Sequence, residues 1–105
     1  MHDQSCFFCQ QSAEKYLKAL MEEQGLTIPR THLLKSLLVL LQSLYPSLTG
    51  LRRGLVFLTR FAVGTRYPGG RASKREAEAA TRWATKVRFE ARTLLGLPVR
   101  PRKGK

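Results

Sequence analysis

Residues 3–24 read DQSCFFCQQSAEKYLKALMEEQ, and the spacing of their apolar positions decides the fold class. Cys6, Cys9, Ala13, Tyr16, Leu17 and Leu20 recur at intervals of three and four, which places them on one face of a helix. Gly25 follows as the stop, because glycine accepts the left-handed backbone that closes a helix. Beyond a connector at residues 26–30, Thr31 is placed to cap a second helix with the face Leu34, Leu37, Leu38, Leu41 and Leu44. Pro46 has no amide hydrogen to give, so that helix must stop by about Tyr45.

Ser47 is placed to cap a third helix carrying Leu48, Leu51, Leu55, Leu58 and Ala62, although Gly50 and Gly54 each weaken a helix by about 1 kcal/mol relative to alanine. The run GTRYPGG at residues 64–70 reads as a loop. Ser73-Lys74-Arg75-Glu76 then has the form of a capping box, and the helix it opens has the seam Ala77, Ala80, Ala84, Val87, Ala91 and Leu94. Gly96 and Pro98 end it. No useful stretch alternates with period two. The expectation is an all-α, antiparallel up-and-down four-helix bundle over residues 1–96, with a basic, mobile tail at 97–105.

A chain of 105 residues fits one domain and needs no metal or disulfide to hold it. Nineteen Lys and Arg against seven Asp and Glu leave a net charge of +12, which favours acidic partners such as RNA, DNA, nucleotides, an acidic protein or anionic lipid. The longest apolar run, Leu37 to Leu41, is far short of the ~20 residues that span a bilayer. The opening Met1-His2-Asp3-Gln4 lacks the basic and apolar segments of a signal peptide, so a cytoplasmic location without membrane partners is expected. Residues 71–105 hold eleven basic and three acidic residues, +8 of the total +12. Within them Arg75, Arg82 and Lys86 fall within ~40° on the fourth helix, opposite its alanine seam. That stripe is either a solvated face or a row of phosphate contacts.

The string CFFCQQSAEKYLKAL at Cys6 to Leu20 resembles the signature helix of the HEPN domain family, in which paired glutamines precede a small residue, Glu, Lys and an Ala/Leu run. His32-Leu33-Leu34 is similar to the family's His-x-Leu, Arg66-Tyr67-Pro68 to its Arg-Tyr-Pro loop, and Ala77 to Leu95 to its closing helix. The resemblance implies a helical bundle that is usually a homodimer and is often encoded beside a minimal nucleotidyltransferase, as toxin and antitoxin. Some relatives are metal-independent endoribonucleases with an arginine followed four to six residues later by a histidine near the last helix. Here the only histidines are His2 and His32, so that motif is missing. Relatives also carry further helix before the double-Gln signature; a short first helix would expose apolar surface and favour association.

Candidate site residues follow from chemistry. Arg66 offers a bidentate fork for phosphate and Tyr67 a stacking face for a base, unless Tyr67 plugs the bundle and Arg66 pairs with a carboxylate such as Glu14. His32 has the proton affinity for acid–base work but no evident partner. Arg52, Arg53 and Arg60 on the third helix extend a basic groove or are simply solvated. Glu14 and Lys18 read as a surface i, i+4 pair. Cys6 and Cys9 read as core thiols, since zinc needs two further ligands that no second pairing supplies. Trp83, at the edge of the seam, is expected to pack partly into the core or a dimer contact. The expected function is a non-catalytic nucleotide- or RNA-binding subunit that needs no cofactor and is paired with a nucleotidyltransferase. The alternatives are a metal-independent endoribonuclease with a degenerate site and a nonspecific nucleic-acid binder.

Overall fold

The computed structural model describes residues 2–62 and 72–99. Helix α1 spans His2–Glu23, α2 Leu34–Leu41, α3 Arg52–Thr59 and α4 Lys74–Leu95, with a 3-10 helix at Pro46–Leu51 leading directly into α3. The chain is all-α with four helices, as expected, and no strand occurs among the described residues.

Both long helices are closed by their own sequence. Ser73 Oγ accepts from the Glu76 amide at 3.1 Å while Glu76 Oε1 accepts from the Ser73 amide at 2.9 Å, the reciprocal capping box. Gly25 (φ 70°) and Gly96 (φ 75°) adopt the left-handed conformation. The amides of Leu26 and Leu97 reach back to the carbonyls of Met21 (2.9 Å) and Arg92 (2.8 Å), satisfying acceptors that a helix end leaves open.

The short helices differ from expectation. No side chain caps α2 from the preceding loop: Thr31 Oγ1 accepts from the Leu33 amide instead, and the Leu34 amide donates to Thr59 Oγ1 on α3 at 3.1 Å. The helix ends at Leu41, and Leu44 stands 46% exposed rather than on the buried face. Ser47 does not cap the third helix either. Pro46 at the helix start opens a 3-10 turn, and the Ser47 hydroxyl donates to Glu90 Oε2 at 2.6 Å.

Side-chain pairs fix how the helices run. Asp3 accepts from the Ala72 amide, Cys9 Sγ lies 3.9 Å from Thr81 Oγ1, and Arg92 donates to Tyr16 Oη at 3.3 Å. Residue numbers rise together in these pairs, so α1 and α4 lie parallel. Against α4, Arg60 meets Glu76, Gly54 meets Trp83 and Ser47 meets Glu90, numbers moving oppositely, so the 3-10 and α3 segment is antiparallel to it. His32 lies beside Glu14 and Tyr45 beside Gln24, so α2 follows the direction of α1. The four-helix fold stands, but its neighbours do not all alternate in direction. The connector at residues 24–33 is the reason, because it is long enough to carry the chain back along α1 before α2 begins.

The core is leucine-rich on α2 and α3 and alanine-rich on α4. Leu17, Leu20, Leu34, Leu37, Leu55 and Leu58 are fully buried, against Ala80, Val87 and Ala91. Small residues on α4 let α1 approach closely, and this is the most extensive helix pair in the molecule. Gly54 is required for packing: a Cβ there would lie 2.0 Å from Cε3 of Trp83. Its lost helix propensity is therefore exchanged for an indole laid against bare backbone. Trp83 is half-buried there, in the contact between α3 and α4.

Candidate nucleic-acid interface

Helix α4 carries three strips of residues, each repeating at about seven. The alanine strip faces α1. Glu76, Trp83 and Glu90 face the 3-10 and α3 segment, through Arg60 (3.3 Å), Gly54 and Ser47. Arg75, Arg82 and Phe89 point outward, all exposed, and a seven-residue spacing keeps them within ~40° over two repeats. Lys86 borders this outward strip, with its ammonium 4.9 Å from the centre of the Trp83 ring.

Two open grooves follow the strip. One of about 660 Å³ lies between α4 and the start of α1, with Lys74, Arg82 and Lys86 along one wall and His2 and Ser5 along the other. The second, about 430 Å³, runs between α4 and the 3-10 helix and is lined by Gly50, Leu51 and Phe89. Thr85 and Lys86 line both, so the grooves adjoin. Glu78 and Glu90 also line them.

The third-helix arginines divide. Arg60 is engaged within the molecule, donating to Glu76 Oε2 and lying 4.8 Å over the Phe57 ring. Arg53, seven residues earlier, lies on the same side of α3, toward α4, and is exposed without an ion pair among the described residues; Arg52 is exposed a third of a turn away. Arg66 and Tyr67 lie outside the described residues.

His32 is in a different place. Cys9 and Tyr16 mark the side of α1 that meets α4, and Glu14 lies about 140° round from Cys9. There His32 Nδ1 is 3.0 Å from Glu14 Oε1, and since a carboxylate can only accept, Nδ1 carries the proton. Gln10 Nε2 donates to the same oxygen at 3.0 Å and Lys18 Nζ to Oε2 at 2.8 Å, while Gln11 donates to Gln10 Oε1. Glu14 and Lys18 are thus the expected pair, but not a surface one: Glu14 is buried and Gln10 completely so. Burial is the largest influence on Glu14 and alone would raise its proton affinity. The hydrogen bonds from Lys18, His32 and Gln10, with the Lys18 charge, outweigh it and hold the carboxyl below its ordinary value. The paired glutamines and the glutamate of the signature helix therefore fasten the loop before α2 to α1.

Burial, then the nearby Cys9, Glu76 and Asp3, push the Cys6 thiol up to about 11, and burial raises Cys9 as well. Neither is poised as a nucleophile. Cys9 is only half-buried, less enclosed than the core position expected for it. Among the described residues no group of three or more His, Cys, Asp or Glu is arranged to hold a metal ion, and no helix is long and apolar enough to cross a membrane.

Two residues of the interface escaped the sequence reading. Phe89 is 55% exposed, and its seven-residue distance from Arg82 was the available signal. Gly54 read only as a weak helix residue, although it seats the tryptophan beneath Lys86.

No curated protein and no solved structure matches this sequence. The HEPN domain model matches residues 1–93, which takes in the double-glutamine helix, the His32 loop and nearly all of α4. With most of its length covered by that match, the chain belongs to the HEPN domain family.

Proposed function

We propose that this chain is a non-catalytic nucleotide- or RNA-binding subunit, homodimeric and cytoplasmic, that works with a nucleotidyltransferase in a two-component, toxin-antitoxin-like system. HEPN modules are often paired with nucleotidyltransferases, which supports the partner. The observation that carries the binding role is the outward strip of α4, where Arg75, Arg82 and Lys86 stand exposed, without carboxylate partners among the described residues, beside two adjoining grooves. Unpaired cations in a row neutralise phosphates and release counterions, so affinity depends steeply on salt. Arg53 extends the same charge from α3, and Arg66 with Tyr67 would add a loop contact.

The test is incubation of mixed-sequence RNA with the protein and a chelator, followed by a denaturing gel and by anisotropy of labelled RNA. The expected result is intact but bound RNA, with affinity reduced on the order of tenfold or more by Arg82→Ala together with Lys86→Ala. Absence of binding at low salt overturns the proposal.

The Glu14–His32 pair favours a second reading, a metal-independent endoribonuclease with an altered site. A buried carboxylate on Nδ1 leaves Nε2 of a half-exposed ring available for proton transfer. Cleavage that persists in chelator and disappears in His32→Ala would establish it in place of the binding-subunit reading.

A further inference from the structure

We propose that the outward side of α4 is a track for single-stranded nucleic acid, in which Arg82 and Lys86 hold backbone phosphates and Phe89 stacks on an unpaired base. The inference rests on the binding role proposed above and states which form of nucleic acid that role takes.

Phe89 is the observation that goes beyond charge. Its ring is more than half exposed on a helix whose outward neighbours are basic, and no aromatic ring of the described residues pairs with it. It follows Lys86 by three residues and Arg82 by seven, so it continues the cationic strip rather than joining the alanine seam. More than half of this phenyl residue is left in water, where it lines the groove with Gly50 and Leu51. Placed one turn from an ammonium and two from a guanidinium, it has the geometry of a platform for a base whose phosphates are held alongside.

The shape of the groove selects a single strand. From Lys74 to Glu90 the track extends for about 24 Å at 1.5 Å per residue, enough for on the order of four nucleotides of extended chain. Bases in a duplex are stacked on one another and offer no free face, whereas those of a single strand can leave the stack and lie on an aromatic ring. The grooves also carry Glu78 and Glu90 against Lys74, Arg82 and Lys86. Three cations against two carboxylates leave the track with a net positive charge, and Glu90 is held toward Ser47, whose hydroxyl donates to it at 2.6 Å.

The test uses the full chain and three labelled probes of one mixed sequence: single-stranded RNA, single-stranded DNA and the DNA duplex. Anisotropy titrations are run over a series of salt concentrations. Tighter binding of the single strands than of the duplex is expected, and Phe89→Ala should weaken only the single strands, on the order of tenfold. Because the phenyl ring neutralises no phosphate, Phe89→Ala should leave the slope of log affinity against log salt unchanged, and Phe89→Trp should restore affinity. Arg82→Ala and Lys86→Ala should each reduce that slope by about 0.7. Equal loss of RNA and DNA binding in Phe89→Ala supports stacking with backbone contacts alone; a loss confined to one strand type supports stacking with an added sugar contact.

Duplex binding as tight as single-strand binding overturns the inference. So does a Phe89→Ala variant that binds as well as the parent while Arg82→Ala does not, an outcome that leaves the general binding role standing. A smaller assembly of the free Phe89→Ala protein in sedimentation assigns the ring to a contact between copies and also overturns it. Failure of every probe to bind at low salt removes the binding role itself.

Discussion

Helices α1 and α4 carry in their own sequences the glycines that end them, and α4 the box that starts it, whereas α2 takes its first cap from α3 and α3 continues directly from the 3-10 helix. The long helices end in left-handed glycines, and α4 starts in a reciprocal capping box. By contrast, α2 and α3 have eight residues each, below the length at which an isolated helix is stable, and neither has a local side-chain cap. The first amide of α2 is satisfied by Thr59, twenty-five residues away. The difference separates helices that define the frame from helices that form because the frame is present.

The sharpest way to break this distinction is at Gly54, where α3 meets α4. Gly54→Ala improves local helix propensity yet forces a Cβ into the Trp83 ring, so a net loss of about 3 kcal/mol is expected in urea unfolding. If packing is the cause, the same change in a Trp83→Ala background should cost far less, a non-additivity that a double-mutant cycle reads directly. A stabilised Gly54→Ala variant would show that α3 is limited by its own propensity after all.

Glu14→Gln tests the junction between the two kinds of helix, because it leaves Lys18 and His32 without their shared carboxylate. A loss of about 2 kcal/mol at neutral pH is expected. The folded protein holds Glu14 below its ordinary value of 4.5, so its contribution is fully present above that value and declines as pH falls through the lower, folded one. Wild type should therefore converge on the Glu14→Gln variant in stability as the pH is lowered through that range. Parallel curves would place the acid sensitivity on another carboxylate.

A smaller effect compares the caps directly. Ser73→Ala and Thr59→Val should each cost about 1 kcal/mol. Their hydrogen exchange should differ: Ser73→Ala frays the first turn of α4 alone, while Thr59→Val loosens α2 and α3 together. Loss of protection confined to α2 in the latter would mean that Thr59 acts as an ordinary cap.

What was legible in the chain follows the same division. The limits of α1 and α4 were readable because the Ser73–Glu76 box, Gly25 and Gly96 act within a few residues of themselves. The cap on α2 was not, since nothing around Thr31 indicates that a threonine on another helix will supply it. Glu14 read as a surface residue because polar side chains seldom go inside without partners, and its partner His32 lies in a loop. The cationic strip of α4 was visible as periodicity. Phe89 was not assigned to it, because a phenylalanine ordinarily signals core and only the fold shows it exposed. For Arg66 and Tyr67 the sequence reading stands as a proposal.

The parallel contact between α1 and α4 also bears on how the chain is made. Of the four helices α1 leaves the ribosome first, but the side of it marked by Cys9 and Tyr16 has no partner until α4 emerges. At ~5–20 residues per second, the 72 residues separating Glu23 from Leu95 take roughly 4 to 14 s to synthesise. Throughout that interval the nascent chain holds a helix able to form but unable to bury one of its sides. Native structure in this helical unit is therefore gained only after α4 has been made, and a chain that stalls before α4 presents that side of its first helix to chaperones or proteases.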